Sequence, residues 1–243
     1  MIASLPMYDR AETAAANDAL WSAIHAELGF GPAGLDRTTN SWDVWLDPDL
    51  VLSQTCGLPY RSRLHGRVQL VGTPDYGLED APAGHYYSVF VCRKGDSQDM
   101  VDYRDRRFAY NEAGSQSGWA APSTHVAELG FRFTKLLESG GHRDSARAVA
   151  EGRTDIAALD AMSWRMIQRY DEFANALQVI ERTRPTPGLP LITSLGQDAE
   201  LVLSAVRRAL SRLDKNDAEI LSIVSIEQIK SKAYLAIPTP PGP

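Results

Sequence analysis

Several features are scarce or absent in this sequence, and each absence excludes a class of protein. Only two cysteines, Cys56 and Cys92, occur among the 243 residues, which is too few for a disulfide scaffold. No apolar run approaches the roughly 18 residues that a membrane span requires. The net charge is −6 and no cluster of Lys or Arg is present, so we expect no nucleic-acid partner. The sequence also contains no internal repeat.

Two further scarcities leave alternatives open. The favoured interpretation of Cys56 and Cys92 is a pair of buried free thiols, and one disulfide in an exported form is the alternative. The first residues, MIASLPMYDR, have neither the charged start nor the apolar core of a secretory signal. The chain is therefore either cytoplasmic or the processed form of an exported protein.

Short apolar segments alternate with helical patterns along most of the chain, which predicts an α/β fold with mainly parallel sheets. Strands are predicted at residues 2–7, 49–53, 67–73, 85–93, 107–111, 155–159, 177–183 and 191–194. One amphipathic helix is predicted to end near Leu28, and a second, the clearest in the sequence, spans residues 197–213. The terminal PTPPGP predicts a disordered tail.

The chemistry is concentrated between Arg107 and Trp164. A strand runs into the turn Ser115–Gly118 and a helix start, in which Pro122 predicts a kink. A second helix start follows at Ser139–Ser145, and a later strand ends on Asp160. Free N–H groups at helix starts, together with flanking hydroxyls, favour anion binding. The stretch therefore predicts a pocket for a small oxyanion.

Five segments carry a resemblance to a known family: DLVLSQTCGLPY, HYYSVFV, SQSG, SGGHRDSARAVAEG and DIAALDAMSW. In this order, they resemble the phosphate-, phosphite- and phosphonate-type substrate-binding proteins of ABC transporters. The resemblance implies a type II periplasmic-binding-protein fold, with two α/β lobes and a ligand in the cleft between them. It places one lobe at residues 1–88 plus 175–243 and the other at residues 89–174.

The resemblance also implies ligand contacts in the second lobe. Ser115, Gln116 and Ser117 match the family's Ser-x-Ser-Gly turn, although a serine N-cap alone would explain the hydroxyls. His142 occupies the position of a ligand-contacting histidine, where it would donate a hydrogen bond and gain charge as the ligand binds. Asp160 matches an aspartate that faces the cleft; the alternative is a helix N-cap, and both roles are compatible.

A carboxylate beside an anion is consistent with a ligand that still carries a proton. Asp160 would accept a hydrogen bond from P–OH or from an ammonium group, and it would repel an anion such as sulfate. From the other lobe, the implied contacts are Tyr8, Thr55 and one of Tyr86 and Tyr87, of which Tyr86 is chosen, while Trp42 either closes the rim or packs in the core. Strand alternation allows only one of the two tyrosines to face the cleft.

These observations predict a binding protein rather than an enzyme. It captures phosphate, phosphite or a phosphonate for an ABC permease, with a plain inorganic oxyanion slightly favoured, and works as a monomer in the periplasm by family analogy. We predict no cofactor, no metal ion and no catalytic residue; Cys56 is the only candidate nucleophile. The alternative is a cytoplasmic sensor or an enzyme on the same fold that binds a small phosphorylated ligand.

Overall fold

The structure is a computed structural model that describes residues 1–243. The strands, in chain order, are β1 (Ile2–Ser4), β2 (Leu50–Gln54), β3 (Val68–Asp75), β4 (His85–Tyr86), β5 (Ser88–Arg93), β6 (Arg107–Tyr110), β7 (Lys135–Glu138), β8 (Ile156–Asp160), β9 (Leu177–Arg182), β10 (Thr186–Pro187), β11 (Leu191–Ser194) and β12 (Ser225–Glu227). The α-helices are α1 (Ala14–Leu28), α2 (Ser41–Trp45), α3 (Gly57–Pro59), α4 (Ala121–Glu128), α5 (His142–Ala150), α6 (Ala161–Tyr170), α7 (Ala199–Arg212), α8 (Lys215–Leu221) and α9 (Ser231–Leu235). Wide π-helical turns occupy Tyr60–Leu64 and Gln116–Ala120, and 3-10 turns occupy Met100–Tyr103 and Glu172–Ala176.

The chain divides into two compact units. Unit 1 contains residues 1–79 and 187–235, and unit 2 contains residues 80–186 and 236–243. These bounds differ from the predicted lobes, because the last strand of unit 2, β9, runs to Arg182 and pairs with β5. The backbone N–H of Thr183 then donates to Ser88 O at 2.9 Å, which keeps the following residues with the same unit.

Unit 1 is built on a five-stranded sheet in the order β1-β2-β11-β3-β12. β1 and β2 are parallel, whereas β11 is antiparallel to both β2 and β3. The predicted helices α1 and α7 bury their apolar faces against each other and the sheet, through Leu20, Trp21, Ile24, Val202, Val206 and Ala209. Burial of each large side chain contributes about 1.5–3 kcal/mol, so these faces account for much of the unit's stability.

Unit 2 contains a second five-stranded sheet in the order β7-β6-β8-β5-β9. β7, β6 and β8 are parallel, and β5 runs antiparallel to its neighbours β8 and β9. The core under this sheet includes Phe90, Phe108, Phe133 and Trp119. The carboxyl ends of β6, β7 and β8 therefore lie at one edge, where Tyr110, Glu138 and Asp160 end their strands.

Three local predictions need correction. The strand predicted over residues 85–93 is broken at Tyr87 into β4 and β5. Pro122 does not kink a helix in its second turn: it stands at the start of α4, directly after the wide turn, where a missing N–H costs little. The PTPPGP tail is not disordered, since Pro241 O accepts a hydrogen bond of 3.0 Å from Trp119 Nε1.

Cys56 and Cys92 are both buried free thiols, which confirms the favoured interpretation. None of the helices combines the length and the hydropathy of a membrane-spanning segment.

Candidate functional site

The turn after β6 has the geometry of a capped helix start. Ser115 adopts an extended conformation (φ −82°, ψ 131°), and its Oγ accepts a hydrogen bond of 2.9 Å from Gly118 N. The N–H groups of Trp119 and Ala120 both point back to Ser115 O, which makes the turn wider than a regular α-helix. The first-turn N–H groups of such a helix face outward and favour an anion. Ser115 is therefore an N-cap, the alternative that the sequence left open, at a predicted ligand position.

Gly118 leaves space that Asn111 occupies. A Cβ atom at Gly118 would lie 1.7 Å from Asn111 Oδ1, so no other residue fits without displacing Asn111. Asn111 follows β6, and its backbone oxygen accepts a hydrogen bond of 2.8 Å from Gly140 N. Asn111 thus lies between the two predicted helix starts. Sequence reasoning missed this role, because an asparagine after a strand is a common turn residue.

The second turn begins α5 at His142, within the helix start predicted at Ser139–Ser145. Gly140 adopts a left-handed conformation (φ +85°) that a residue with a side chain rarely adopts. Gly141 is the N-cap and has no side chain to cap the first N–H groups of α5. Ser145 is buried and its Oγ lies 2.7 Å from Ser139 Oγ, so Ser145 stabilises the turn.

A single hydrogen bond joins the two turns. Ser117 Oγ and His142 Nε2 lie 3.0 Å apart, although 25 residues separate them in sequence. Burial lowers the pKa of His142 to about 4, while a hydrogen bond with the backbone of Ala158 acts in the opposite direction. The imidazole is therefore neutral near pH 7 in the ligand-free protein. Before a ligand binds, the ring therefore offers a hydrogen-bonding group without a charge.

The Ser117–His142 pair has the distance of a catalytic dyad but lacks its other requirements. A serine nucleophile needs a histidine that is a competent base and that a third, usually acidic, group orients. With a pKa of about 4, His142 is a weak base at neutral pH. The other group that acts on the pKa of its ring is the backbone of Ala158 rather than a carboxylate.

Asp160 is buried at the end of β8 and caps α6. Its Oδ1 accepts hydrogen bonds of 2.7 Å from Met162 N and 2.9 Å from Ser163 N. Asp160 pairs in register with Ser88 of β5, and Ser88 Oγ donates to Ser117 O at 2.8 Å. The structure therefore brings Asp160, Ser117 and His142 to one edge of unit 2. Ser88 is the connecting residue that sequence reasoning did not select; its position just after the Tyr86–Tyr87 pair was the only available signal.

The two tyrosines need a correction. Sequence reasoning assigned Tyr86 and Tyr87 to the lobe that carries Tyr8, whereas both belong to unit 2. Both are buried, and Arg182 lies over the Tyr87 ring at 5.1 Å from its centroid. Tyr87 is therefore a packing residue, which leaves Tyr86 as the candidate of the pair.

Gln116, the middle residue of the first turn, is also buried. It lines a cavity of about 230 Å³ together with Ala121, Thr124, Ile237 and Pro238. The C-terminal segment is thus part of the surroundings of a predicted ligand residue.

Unit 1 contains a small polar cluster around its predicted residues. The Tyr8 and Tyr76 rings meet edge to face at 5.0 Å, and Gln54 Nε2 donates to the Tyr76 hydroxyl at 3.2 Å. Thr55 follows Gln54 and is fully buried, and its Oγ1 has no hydrogen-bond partner. An unpaired buried hydroxyl costs about 1–3 kcal/mol, which a ligand oxygen at this hydroxyl would offset. Trp42 packs edge to face on Trp45, in agreement with the core alternative.

Two arginines of unit 2 are paired with carboxylates, so an anion in this unit would be bound mainly by helix starts and hydroxyls. Arg143 Nε pairs with Asp171 at 2.7 Å, and Arg182 pairs with Asp80 at 3.2 Å. Desolvation and the neighbouring charge of Glu138 raise the pKa of Glu112. Glu112 follows β6 and Glu138 ends β7, beside the site, and no local sequence pattern indicates that they are neighbours. Together, the hydroxyls, helix starts and neutral histidine of unit 2 can bind an oxyanion, and the acids favour one that carries a proton or an ammonium group.

The fold is that of the type II periplasmic binding proteins, as comparisons with solved structures show. PhnD1 from Prochlorococcus marinus, solved in complex with methylphosphonate, is 16% identical, with a TM-score of 0.77 over 96% of this chain and 94% of that one. A binding protein component of an ABC phosphonate transporter from Pseudomonas aeruginosa is 15% identical, with a TM-score of 0.69 over 96% of this chain and 82% of that one. A histidine kinase sensor domain with similarity to periplasmic binding proteins is 18% identical, with a TM-score of 0.58 over 94% of this chain and 98% of that one.

The family follows from the sequence itself. Residues 55–233 match the family described as ABC transporter, phosphonate, periplasmic substrate-binding protein. The chain belongs to this family, which confirms the resemblance drawn from the motifs. A search of curated proteins finds no match to the sequence.

Proposed function

We propose that this protein binds a small phosphonate in a form that carries one P–OH proton and presents it to an ABC permease. The observation that carries the proposal is the 3.0 Å contact between Ser117 Oγ and His142 Nε2, which joins the two helix starts. Membership of the phosphonate substrate-binding family supports the ligand class. The proposed ligand contacts remain Tyr8, Thr55, Tyr86, Ser115, Gln116, Ser117, His142 and Asp160.

The acids of unit 2 support the protonation state. Asp160 is buried, and its strand partner Ser88 is hydrogen-bonded to Ser117 O. A buried carboxylate repels a fully deprotonated dianion and accepts a hydrogen bond from a P–OH group. Phosphate and phosphite also carry such protons, so they are the competing ligands within the same class.

The ligand is tested by isothermal titration calorimetry at pH 7 with methylphosphonate, 2-aminoethylphosphonate, phosphate, phosphite and sulfate. We expect the phosphonates to bind more tightly than phosphate, and sulfate to bind at least tenfold more weakly because it carries no proton. If only phosphate or phosphite binds, the phosphonate assignment is wrong. If none of the five binds, the oxyanion site itself is wrong.

The site is tested by Ser117→Ala, with Ser97→Ala as a matched control. Loss of a hydrogen bond to a charged ligand corresponds to about 1.5–3 kcal/mol, so we expect the affinity of Ser117→Ala to fall by about tenfold to a hundredfold. Ser97 also carries a hydrogen-bonded hydroxyl, at 2.5 Å from Asp102 Oδ2, but it follows the opposite end of β5. Unchanged binding by Ser117→Ala would remove the main support for the proposal.

Glu138 distinguishes an ammonium-bearing ligand from a simple one. Glu138 Oε2 lies 3.5 Å from the Tyr110 hydroxyl and close to Glu112, at the edge of the sheet where Asp160 ends β8. If these acids hold an ammonium group, Glu138→Gln will weaken 2-aminoethylphosphonate without weakening methylphosphonate. Equal effects on both ligands would assign the two acids to the structure of the turn.

The proposal includes the setting of the protein. By family membership, we propose a periplasmic location, a monomeric state and two ligand-binding lobes that correspond to units 1 and 2. Static light scattering tests the monomer, and fractionation of cells that express the full open reading frame tests the location. A permease gene and an ATPase gene beside this one would support the transport partner.

The second candidate function is a sensor that binds the same ligand and signals instead of delivering it. It is kept because a histidine kinase sensor domain shares this fold. A kinase or transcription-factor gene in place of the permease, with ligand binding intact, would favour it.

A further inference from the structure

The C-terminal segment packs beside the turn that carries Ser117. Residues 236–243 group with unit 2. Trp119 Nε1 donates a hydrogen bond of 3.0 Å to Pro241 O, and Trp119 lies two residues after Ser117. Ile237 and Pro238 line a cavity of about 230 Å³ together with Gln116. The segment is therefore hydrogen-bonded to the turn at Trp119 and shares a cavity lining with Gln116.

Trp119 anchors the wide turn beside the C-terminal segment, while Ser88 and His142 hold Ser117. Trp119 N and Ala120 N share one acceptor, Ser115 O, at 3.3 and 3.0 Å. The Trp119 side chain is buried against Tyr110, with the ring centroids 5.2 Å apart. Its indole N–H is a donor that needs a partner when buried, and the carbonyl of Pro241 is that partner. The C-terminal segment therefore holds the Trp119 indole, two residues after Ser117.

We propose that residues 236–243 act as a strap that positions the Ser115–Gly118 turn for ligand binding, an inference that rests on the proposed oxyanion site. Trp119 and Pro241 are its positioning residues and do not touch the ligand. The strap keeps the Ser117 hydroxyl beside His142 before the ligand arrives, so the site loses less conformational entropy on binding. A proline-rich sequence suits this task, because its backbone is already restricted when the segment packs.

The test compares two truncated chains that differ by Pro241 and Gly242. A chain that ends at Pro240 lacks the Pro241 carbonyl, whereas a chain that ends at Gly242 keeps it. For the chain ending at Pro240, we expect the affinity for methylphosphonate to fall by about threefold to tenfold, mainly through faster dissociation. Trp119→Phe keeps an aromatic ring, removes the donor and should have the same effect. Combining Trp119→Phe with the truncation at Pro240 should add nothing further.

Hydrogen exchange of the ligand-free protein provides a readout that does not need the ligand. Amides at residues 115–120 should exchange faster in the chain ending at Pro240 than in the chain ending at Gly242, while the β8 amides remain unchanged. If the two chains bind and exchange alike, or if protection falls uniformly across unit 2, the strap is wrong. If the full chain binds no phosphonate, the proposed function fails, and the exchange comparison alone decides the strap.

Discussion

The titration of His142 gives the sharpest prediction about the stability of this protein. Burial lowers the pKa of the folded imidazole to about 4, against an ordinary value of 6.5. Between these two values the unfolded chain binds a proton that the folded protein does not bind. Acidification through this range therefore favours unfolding, and the stability that is present above pH 6.5 is lost as the pH falls to about 4.

The size of the effect follows from the shift. One pKa unit corresponds to 1.36 kcal/mol, so a shift from 6.5 to about 4 corresponds to about 3 kcal/mol of unfolding free energy. The residue as a whole is only partly buried although Nδ1 is inaccessible to water. We therefore expect between about 2 and 3 kcal/mol.

The assay is urea denaturation of the wild type and of His142→Gln at several pH values between 7.5 and 4. Glutamine keeps a hydrogen-bonding amide and does not titrate, so the variant should lose less stability than the wild type across this range. Depressed carboxylates such as Asp155, held by Arg107, contribute equally to both proteins. His65→Gln is the matched control, because the His65 side chain is exposed and its removal should leave the profile unchanged. Parallel profiles for the wild type and His142→Gln would refute the reasoning.

Three substitutions test other parts of the site. Gly118→Ala should reduce methylphosphonate affinity at least tenfold and lower the melting temperature, since its Cβ would lie 1.7 Å from Asn111 Oδ1. An unchanged affinity in calorimetry would mean that the turn adapts to the added methyl group. Asp160→Asn keeps the α6 cap but not the charge. The ratio of methylphosphonate affinity to sulfate affinity should therefore fall, while the melting temperature changes little. An unchanged ratio would mean that Asp160 only caps the helix. Thr55→Val should leave the unfolding free energy equal or higher, because the buried Oγ1 has no partner, yet weaken phosphonate binding; loss of stability without loss of affinity would assign the hydroxyl to the fold.

The sequence was sufficient to predict the parts of the fold that depend on local pattern. The helices α1 and α7 carry apolar residues at helical spacing, and both pack through those faces. The exception is Leu201, which fits the spacing yet is 43% exposed, because the position of a helix against its sheet decides which edge of an apolar face is covered. Periodicity identifies the face of a helix, and tertiary packing determines its limits.

The site could be predicted as two helix starts but not as one structure. Ser115 and His142 belong to recognisable turns, and each turn is set by local residues, including Gly118 and Gly140. The contact between Ser117 and His142 depends on β6 and β7, the strands that precede the two turns, being parallel neighbours, which no local pattern specifies. The same holds for Ser88, which reaches Ser117 only because β5 pairs with β8 in a register that places Ser88 opposite Asp160.

The pKa of His142 and the role of the C-terminal segment were the hardest features to predict from the sequence, for one physical reason. Both depend on which groups lose their water, and that is a property of the packed chain rather than of neighbouring residues. A histidine at a helix start is exposed in most contexts and would be expected to gain charge with an anion. Here the first turn of α5 packs against the Ser115–Gly118 turn, so the ring is neutral until a ligand supplies the charge that would stabilise a proton.

Ligand binding should then be accompanied by proton uptake below neutral pH. Calorimetry in buffers of different ionisation enthalpy would measure the number of protons taken up. Binding without proton uptake at pH 5 would mean that His142 stays neutral in the complex.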